Sequence, residues 1–412
     1  MLFAKLIFFK TSGLGTFTLL IIFTLKIFIG FLYSYYFASP SQIENADTWT
    51  YFIDSKAETD WLLRNPKEFF ADFFTNNYST RGSFFASYNS YWNDLKATSF
   101  TKLLAILNLF SNKNYYINLL FFNVIFMFGN VAFYKLIHQN FAIKNWVLIA
   151  AVFLTPSFLF WCSAIHKDGL VFSATAIILY GFYKILKDGF SCKRAIVLLI
   201  CFCVIFLLRN YYLLAIIPAL IGWFLVEKFK LNAKHIFTTI TAICLVMFIL
   251  SSSFSFTKGI VSSVVTKHNE FLMLEGNTKF ETPKLEVNTI SIVKYFPFAM
   301  QSVLLRPFPS KKESLPTLLA TLENYSFLVV IMFALFLFFK TKNEIFNSPI
   351  IYVCLTICFF LFLFIGYTVC FDAAIIRYRS VSIPFVIVPC VLIIWGKIKN
   401  QHSSVQSVSS LF

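Results

Sequence analysis

The stretch SPIIYVCLTICFFLFLFIGYTVC, residues 348–370, carries no charged side chain and decides the fold class of this chain. An α-helix needs about 20 mostly apolar residues to cross roughly 30 Å of hydrocarbon, and this stretch is long enough to do so. A soluble core does not require apolar runs of that length. The sequence therefore predicts an all-α polytopic membrane protein with about ten transmembrane helices. The other predicted spans are 14–36, 115–137, 146–163, 169–186, 195–208, 211–226, 236–254, 323–339 and 380–396.

The composition leads to the same class. Of the 412 residues, 58% are hydrophobic and only 13% are charged, whereas a soluble domain carries about 25% charged residues. With 55 phenylalanines and a mean hydropathy of +0.74, the chain has too few polar side chains to cover a soluble globule. The first apolar block continues without a small-residue cleavage pattern and further spans follow it, so we expect a transmembrane helix there rather than a cleavable signal peptide.

The formal net charge of +16 at pH 7 has a membrane explanation. The basic residues fall mostly in short loops that lie on one side when ten spans alternate, which is the pattern of the positive-inside rule. We therefore expect a multi-pass protein of the cell inner membrane with both termini in the cytoplasm, and no nucleic-acid partner. The residues on that side are Lys5, Lys10, Lys135, Lys144, Lys184, Lys187, Lys193, Arg194, Lys228, Lys230, Lys234, Lys340, Lys342, Lys397 and Lys399.

The nine cysteines lie inside or beside the apolar blocks, for example Cys201 and Cys354. None falls in the two long polar segments, so the sequence predicts neither a disulfide framework nor a zinc knuckle. We interpret them as small apolar side chains of the core.

Two long polar segments separate the spans. The first contains amphipathic stretches at 66–74 and 100–110, which are typical of helices lying at a membrane interface. The predicted order is a first transmembrane helix at 1–36, an outer loop at 37–114, transmembrane helices two to seven at 115–254, a second outer loop at 255–322, transmembrane helices eight to ten at 323–396 and a cytoplasmic tail at 397–412.

The spans contain two irregular features. Blocks 195–208 and 211–226 are short, and only Arg209 and Asn210 separate them, which fits a tight helical hairpin or a broken element buried by its neighbours. Lys26 falls near the middle of the first span. It could snorkel to the interface, face a protein interior or mark a shifted span, and the sequence leaves these alternatives open.

Ionisable side chains gather at the predicted outer ends of the spans. Charges in or near hydrocarbon cost free energy, so they pair, line a wet cavity or do chemistry. Five separate outer connections contribute to this set, and a cavity open to the outer face would explain that. The set consists of Asp47, His166, Lys167, Asp168, Arg209, Arg306, Asp372, Arg377 and Arg379.

The basic members of the set are candidate substrate ligands. Lys167 could meet a phosphate, or it could lie at the lipid headgroups. Arg209 could bind substrate or simply end a helix. Arg306 lies in the run LLRPFP, whose prolines break helices and fix an extended turn. An arginine held in such a turn suits a phosphate or pyrophosphate.

Arg377 and Arg379 flank Tyr378, and all three are candidate substrate-binding residues. Residues two apart on a helix do not share a face, so at most one arginine needs to point inward. Contact with lipid headgroups is the alternative interpretation.

Three members of the set are candidate catalytic groups. His166 and Asp168 could act as acid, base or binding groups at a cavity mouth, or Asp168 could only cap the following helix. Asp47 lies in ADTWTYF, with Asp54 on the same face if the stretch is helical. Asp47 could accept a proton from a hydroxyl or hold a divalent cation, or it could cap a surface helix.

Several common motifs do not occur. The sequence has no GxxxxGK[ST] phosphate loop, no HExxH zinc pair and no GxSxG elbow. We therefore expect neither ATP as the donor nor hydrolysis by a Ser-His-Asp triad.

Three stretches resemble the C-type (GT-C-like) integral-membrane glycosyltransferase superfamily and its uncharacterised bacterial members. They are ADTWTY around Asp47, RYRSVSIP from Arg377 to Pro384, and PSFLFWCSAIHKD at 156–168. The resemblance implies that a sugar is moved from a polyprenyl-phosphate-linked donor at the outer membrane face. It implies that Asp47 is the catalytic base or a metal-site residue. No second aspartate stands beside Asp47, which leaves the need for a divalent cation open.

The leading hypothesis is thus an integral-membrane glycosyltransferase of polysaccharide biosynthesis that uses a polyprenyl-phosphate-linked sugar and a glycan, lipid or protein acceptor. Arg306, Arg377 or Lys167 would hold the lipid phosphate. One alternative is an O-antigen-type polysaccharide polymerase or ligase, which also uses outer-loop arginines. The other is a transporter or flippase for a lipid-linked glycan, for which we would expect internal repeats and broken spans at matching positions.

Overall fold

The computed structural model describes residues 5–39, 46–74, 91–251, 258–309, 315–340 and 347–409. Within these ranges the secondary structure is helical apart from one isolated bridge between Lys279 and Phe371, so the all-α class is confirmed. The helices are α1 (Ile7–Lys10), α2 (Thr16–Tyr36), α3 (Asp47–Arg64), α4 (Pro66–Ala71), α5 (Tyr91–Ser111), α6 (Tyr115–His138), α7 (Asn145–Phe153), α8 (Pro156–Trp161), α9 (Lys167–Asp188), α10 (Cys192–Arg209), α11 (Tyr211–Phe229), α12 (Ala233–Leu250), α13 (Lys258–Met273), α14 (Thr289–Leu305), α15 (Leu315–Lys340), α16 (Pro349–Thr368), α17 (Asp372–Ser380) and α18 (Ile383–Ser409).

Seven helices of the described part are long and apolar enough to cross a membrane, namely α2, α6, α9, α11, α12, α15 and α16. An eighth crossing results if α17 and α18, which meet at a bend of 61°, are counted as one broken span. A polytopic membrane architecture is therefore supported, while the count of ten stays a prediction.

The predicted span 146–163 is not one continuous helix. It consists of α7, nine residues long, and α8, six residues long. Pro156 begins α8 and cannot donate to the turn before it, so the first helix ends at Phe153. At 1.5 Å per residue, α7 is only about 14 Å long and cannot cross the hydrocarbon by itself.

The predicted short pair 195–208 and 211–226 forms α10 and α11, which share Asn210 between them as a tight hairpin. Helix α10 is too charged to count among the seven apolar helices, because it contains Lys193, Arg194 and Arg209.

The bundle has two chemically different ends. At the basic end, the Nζ of Lys135 near the end of α6 donates to the carbonyl of Phe8 (3.1 Å) and to Oγ1 of Thr11 (2.9 Å). At the opposite end, the rings of Tyr33 and Trp161 lie 5.5 Å apart, so the ends of α2 and α8 meet there. The start of α9 and the end of α10 lie at this same end, which we call the cluster end.

The described part of the first long segment contains a small helical unit made of α3, α4 and α5. Lys102 of α5 is buried at its centre, with Nζ 2.9 Å from Oε2 of Glu58 and 3.2 Å from Oδ2 of Asp72. The ring of Phe69 lies 3.9 Å from the same ammonium. The stretches 66–74 and 100–110 are largely helical, in α4 and α5.

The second long segment contains packed helices in its described part. It contains α13 and the apolar helix α14, which buries Ile292, Ala299 and Val303. Tyr367 at the end of α16 donates to the carbonyl of Ile292 at 2.6 Å and fixes α14 against the bundle. The following span, α15, begins at Leu315 rather than at residue 323.

The centre of the bundle is the contact between α6 and α9. A Cβ added at Gly129 would lie 2.2 Å from the Cα of Ser173, so only glycine allows the two backbones to approach this closely.

Candidate functional site

The side chain of Asp168, in the first turn of α9, is completely buried and lies between two arginines. Nη2 of Arg209 donates to its Oδ1 at 2.5 Å, and Nε of Arg377 donates to its Oδ2 at 2.8 Å. A buried carboxylate is stable only when it is paired and hydrogen-bonded, and these contacts supply both conditions. Asp168 does not cap α9, whose N-cap position is His166 and shows no side-chain cap.

Arg377 of α17 connects three separate segments of the chain. Besides Asp168, its Nη1 donates to Oδ2 of Asp47 at 2.7 Å, and its Nη2 donates to Nδ1 of His166 at 2.9 Å. The planar guanidinium offers five donors in a fixed geometry, which suits a residue with several acceptors around it. We call Asp47, His166, Asp168, Arg209 and Arg377 the charged cluster.

His166 is neutral in this arrangement, and its contacts fix its tautomer. An arginine can only donate, so Nδ1 carries no proton and Nε2 does. Nε2 lies 2.8 Å from Oη of Tyr33 and donates to it. Burial, together with the positive charge of Arg377, lowers the pKa of His166 to about 3. His166 therefore acts as a fixed hydrogen-bonding group rather than as a cation.

Asp47 is the more accessible carboxylate of the cluster, with 44% of its side chain exposed. It is the first residue of α3 and makes no capping hydrogen bond, so the interpretation as a simple helix cap does not match its contacts. Burial works to raise the pKa of Asp47, but the positive charges of Arg377 and Lys167 outweigh it, and the pKa is lowered. Asp47 is therefore ionised at neutral pH.

Lys167 adjoins the cluster and is held by aromatic side chains. Its Nζ donates to Oη of Tyr51 at 2.7 Å and lies 4.3 Å from the centre of that ring. No carboxylate lies within 4 Å of Lys167 in the part of the chain that the structure describes. Three basic residues, Arg209, Arg377 and Lys167, lie with two carboxylates in this region. An anionic ligand would balance the excess of basic residues and would favour the ammonium form of Lys167.

Aromatic rings border the cluster on several sides. The guanidinium of Arg209 lies 4.4 Å from the ring centre of Tyr378, and that of Arg377 lies 5.6 Å from Trp161. Arg209 also donates to Oη of Tyr211 at 2.9 Å. Flat apolar faces beside polar groups are common in binding sites for small molecules.

Arg306 and Arg379 lie in a second polar group, apart from the charged cluster. Nη1 of Arg306 donates to Oδ1 of Asp372 at 3.3 Å, and its guanidinium stacks 3.7 Å from the ring of Phe280. Nη1 of Arg379 donates to the carbonyls of Val303 (2.8 Å) and Arg306 (3.0 Å). The two arginines of α17 thus have different partners, and Arg306 pairs with Asp372 rather than with a member of the charged cluster.

Two tyrosines of the site, Tyr33 and Tyr51, were not predicted. Tyr33 lies seven residues after Lys26, on the same face of α2, so the unusual lysine marked the helix face that contacts the site. Among the described residues, no group of three or more His, Cys, Asp or Glu side chains is placed to hold a metal ion.

Comparison with known proteins gives no match for this chain, whether with protein-family models, with curated proteins or with solved structures.

Proposed function

We propose that this chain is an integral-membrane transferase that moves a sugar from a polyprenyl-phosphate-linked donor to a hydroxyl acceptor. One observation carries the proposal. The half-exposed, ionised carboxylate of Asp47 lies near Lys167, a basic residue whose only polar partner among the described residues is a tyrosine hydroxyl. A carboxylate base can remove the acceptor proton, and a lysine without an acidic partner becomes an ammonium beside a phosphate and stabilises it as it leaves.

In the proposed step, the acceptor oxygen bonds to the anomeric carbon of the sugar while the bond from that carbon to the phosphate oxygen breaks. Asp47 takes the hydroxyl proton through Oδ1, because Oδ2 already accepts from Arg377. Polyprenyl phosphate leaves with the bonding electron pair, and the ammonium of Lys167 stabilises the charge on it.

The other charged residues have supporting roles in this proposal. Asp168 is completely buried and each of its oxygens accepts from an arginine, so it has no free oxygen for a substrate proton. We assign Asp168 and His166 to the positioning of Arg377, and Arg377 to the positioning of Asp47. These roles differ from the sequence-based hypothesis, in which Asp168 and His166 were catalytic groups.

Phosphate recognition can be tested by ligand stabilisation. Farnesyl phosphate and farnesol differ only in the phosphate, and a ligand of the folded state raises the thermal unfolding midpoint. We expect farnesyl phosphate to raise the midpoint of the detergent-solubilised protein and farnesol to have a much smaller effect. Lys167→Met should remove this difference, and Lys56→Met, at an exposed lysine of α3, should keep it. Equal shifts with both ligands would contradict the proposal.

Transfer can be tested with vesicles that hold the protein, a polyprenyl-phosphate-linked radiolabelled hexose and envelope glycan from the source cells. Removing a general base typically costs about 10²–10⁴-fold in rate. We expect a loss of that size in Asp47→Asn and no change in Asp54→Asn, at an exposed carboxylate of the same helix. Full transfer by Asp47→Asn would exclude Asp47 as the base.

A further inference from the structure

Two charged side chains lie inside apolar spans and outside the charged cluster, although one of them, Glu323, lies near Arg379 of the second polar group. Lys26 is in α2 and is fully buried, and Glu323 is in α15 and is half-buried. Ionisable residues inside spans are costly and usually indicate a function. Both contact the same short helix, α8.

Lys26 holds the C-terminal end of α8. Its Nζ donates to the carbonyl of Cys162 at 2.9 Å and to Oγ of Ser163 at 3.2 Å. Cys162 is the C-cap residue of α8. The sequence left three interpretations of Lys26 open, and in the structure Lys26 faces the protein interior.

Glu323 holds the N-terminal end of the same helix. Its two carboxylate oxygens accept from the backbone N–H of Ser157 at 2.9 and 3.0 Å, and Oε1 also accepts from Oγ of Ser157 at 3.2 Å. Ser157 follows Pro156, the first residue of α8.

The signs of the two charges match the helix dipole, which is positive at the N-terminus and negative at the C-terminus. A six-residue helix is too short to be stable by its own hydrogen bonds. A carboxylate at one end and an ammonium at the other stabilise α8 by binding N–H and C=O groups that have no partner within the helix.

One face of α2 extends this contact to the charged cluster. Lys26, Gly30 and Tyr33 follow one another at helical spacing. A Cβ at Gly30 would lie 2.6 Å from the carbonyl oxygen of Ser163, so glycine is required for this close approach. Tyr33 then contacts His166 at 2.8 Å. The turn between α8 and α9 thus contacts α2 at both of its ends.

We infer that Lys26 and Glu323 are positioning residues that hold α8 at its two ends and so fix His166 against Arg377. That Lys26 and Glu323 hold α8 does not depend on the proposed function. Any effect of these residues on sugar transfer rests on the proposed function. The competing explanation is that Lys26 carries protons in a transport cycle, as intramembrane charges often do.

Hydrogen exchange of the protein in lipid nanodiscs tests the inference. The reporters are the amides of Leu159 and Cys162, which donate to Thr155 and Phe158 within and beside α8. We expect Lys26→Met to accelerate their exchange by about tenfold or more and Glu323→Gln to do so by a smaller factor, while α16 is unchanged. Lys26→Arg, which keeps the charge, should restore most of the protection.

The matched control is Lys135→Met, at a lysine that also donates to a backbone carbonyl, but at the basic end. It should leave exchange in α8 unchanged. Unaltered exchange of α8 in both Lys26→Met and Glu323→Gln would overturn the inference. If Lys26→Met does not fold, the comparison of Glu323→Gln with Lys26→Arg decides it, since only the former should loosen α8.

Two activity measurements separate the alternatives. In the transfer assay, a positioning role predicts that Lys26→Met lowers kcat and leaves KM for the donor nearly unchanged. If the wild-type protein shows no transfer at all, the proposed function fails while the exchange result still stands. A proton flux in wild-type vesicles that is lost in Lys26→Met without faster exchange in α8 would favour the transport explanation and overturn ours.

Discussion

Nη1 of Arg377 lies 2.7 Å from Oδ2 of Asp47, although 330 positions of the chain separate the two residues. The same guanidinium reaches Asp168 and His166, so a single side chain of α17 ties together the start of α3 and the start of α9. The integrity of the site therefore depends on Arg377 more than on any other member of the cluster.

Arg377→Lys should destabilise the protein strongly even though it keeps the charge. A lysine ammonium cannot reproduce the planar set of contacts to three acceptors. Breaking a buried ion pair typically costs about 3–5 kcal/mol. The measurement is the unfolding midpoint in a mild detergent. Arg194→Lys, at the basic end, serves as the control and should have a near-wild-type midpoint, because its pair with Asp188 is exposed.

The two aspartates of the cluster should differ in their contribution to stability. Asp168→Asn leaves Arg209 and Arg377 without their shared buried carboxylate and should cost about 3–5 kcal/mol. Asp47→Asn should cost clearly less, because Asp47 is half-exposed and Arg377 retains Asp168. Denaturant unfolding of both variants checks the order, and equal losses would mean that Asp168 is less isolated from water than its contacts indicate.

His166 should make the protein sensitive to mild acid. Its pKa is lowered to about 3 in the folded state, so between that pH and its ordinary value of 6.5 the unfolded chain binds the additional proton. Stability is then fully present above pH 6.5 and falls as the pH decreases, by about 1.4 kcal/mol per pH unit.

Unfolding midpoints between pH 5 and 8 measure this acid sensitivity. His166→Gln should show a smaller loss on acidification than the wild type. His235→Gln, at an exposed histidine of α12, should follow the wild-type curve. Parallel curves for all three proteins would show that His166 does not titrate differently on folding.

Gly129→Ala should loosen the contact between α6 and α9. The added methyl group would lie 2.2 Å from the backbone of Ser173, so the helices must move apart. Overpacking of this kind typically costs about 1–3 kcal/mol. Gly15→Ala adds the same methyl group where the nearest atom is 3.9 Å away, and its unfolding midpoint should stay near that of the wild type.

Much of the architecture could be predicted from local sequence. A block such as 348–370 spans a membrane because of its length and hydrophobicity, and α16 occupies nearly the same residues. The helices differ from the local prediction at one span, where Pro156 divides the apolar block 146–163 into two short helices. The apolar helix α14, which lies inside the predicted second outer loop, was not predicted individually.

The candidate site could be predicted only as a set. Charges at one end of a bundle can be recognised in the sequence because they interrupt apolar blocks. Their grouping could not be predicted, because it depends on how each helix is rotated about its axis. Arg377 and Arg379 are two residues apart, yet one binds Asp47 and Asp168 while the other binds the carbonyls of Val303 and Arg306.

The sequence by itself determined that this chain is a helical membrane protein with its unusual charges near one end of the spans, because hydrophobic length is a property of each segment alone. Only the tertiary structure decided which charges pair and which stay accessible. Contacts between segments far apart in the chain bury Asp168 between Arg209 and Arg377 and leave Asp47 half-exposed. The partner of Lys26 was likewise decided by the tertiary structure. Lys26 binds the C-terminal end of α8, which presents a partial negative charge only once that helix has formed.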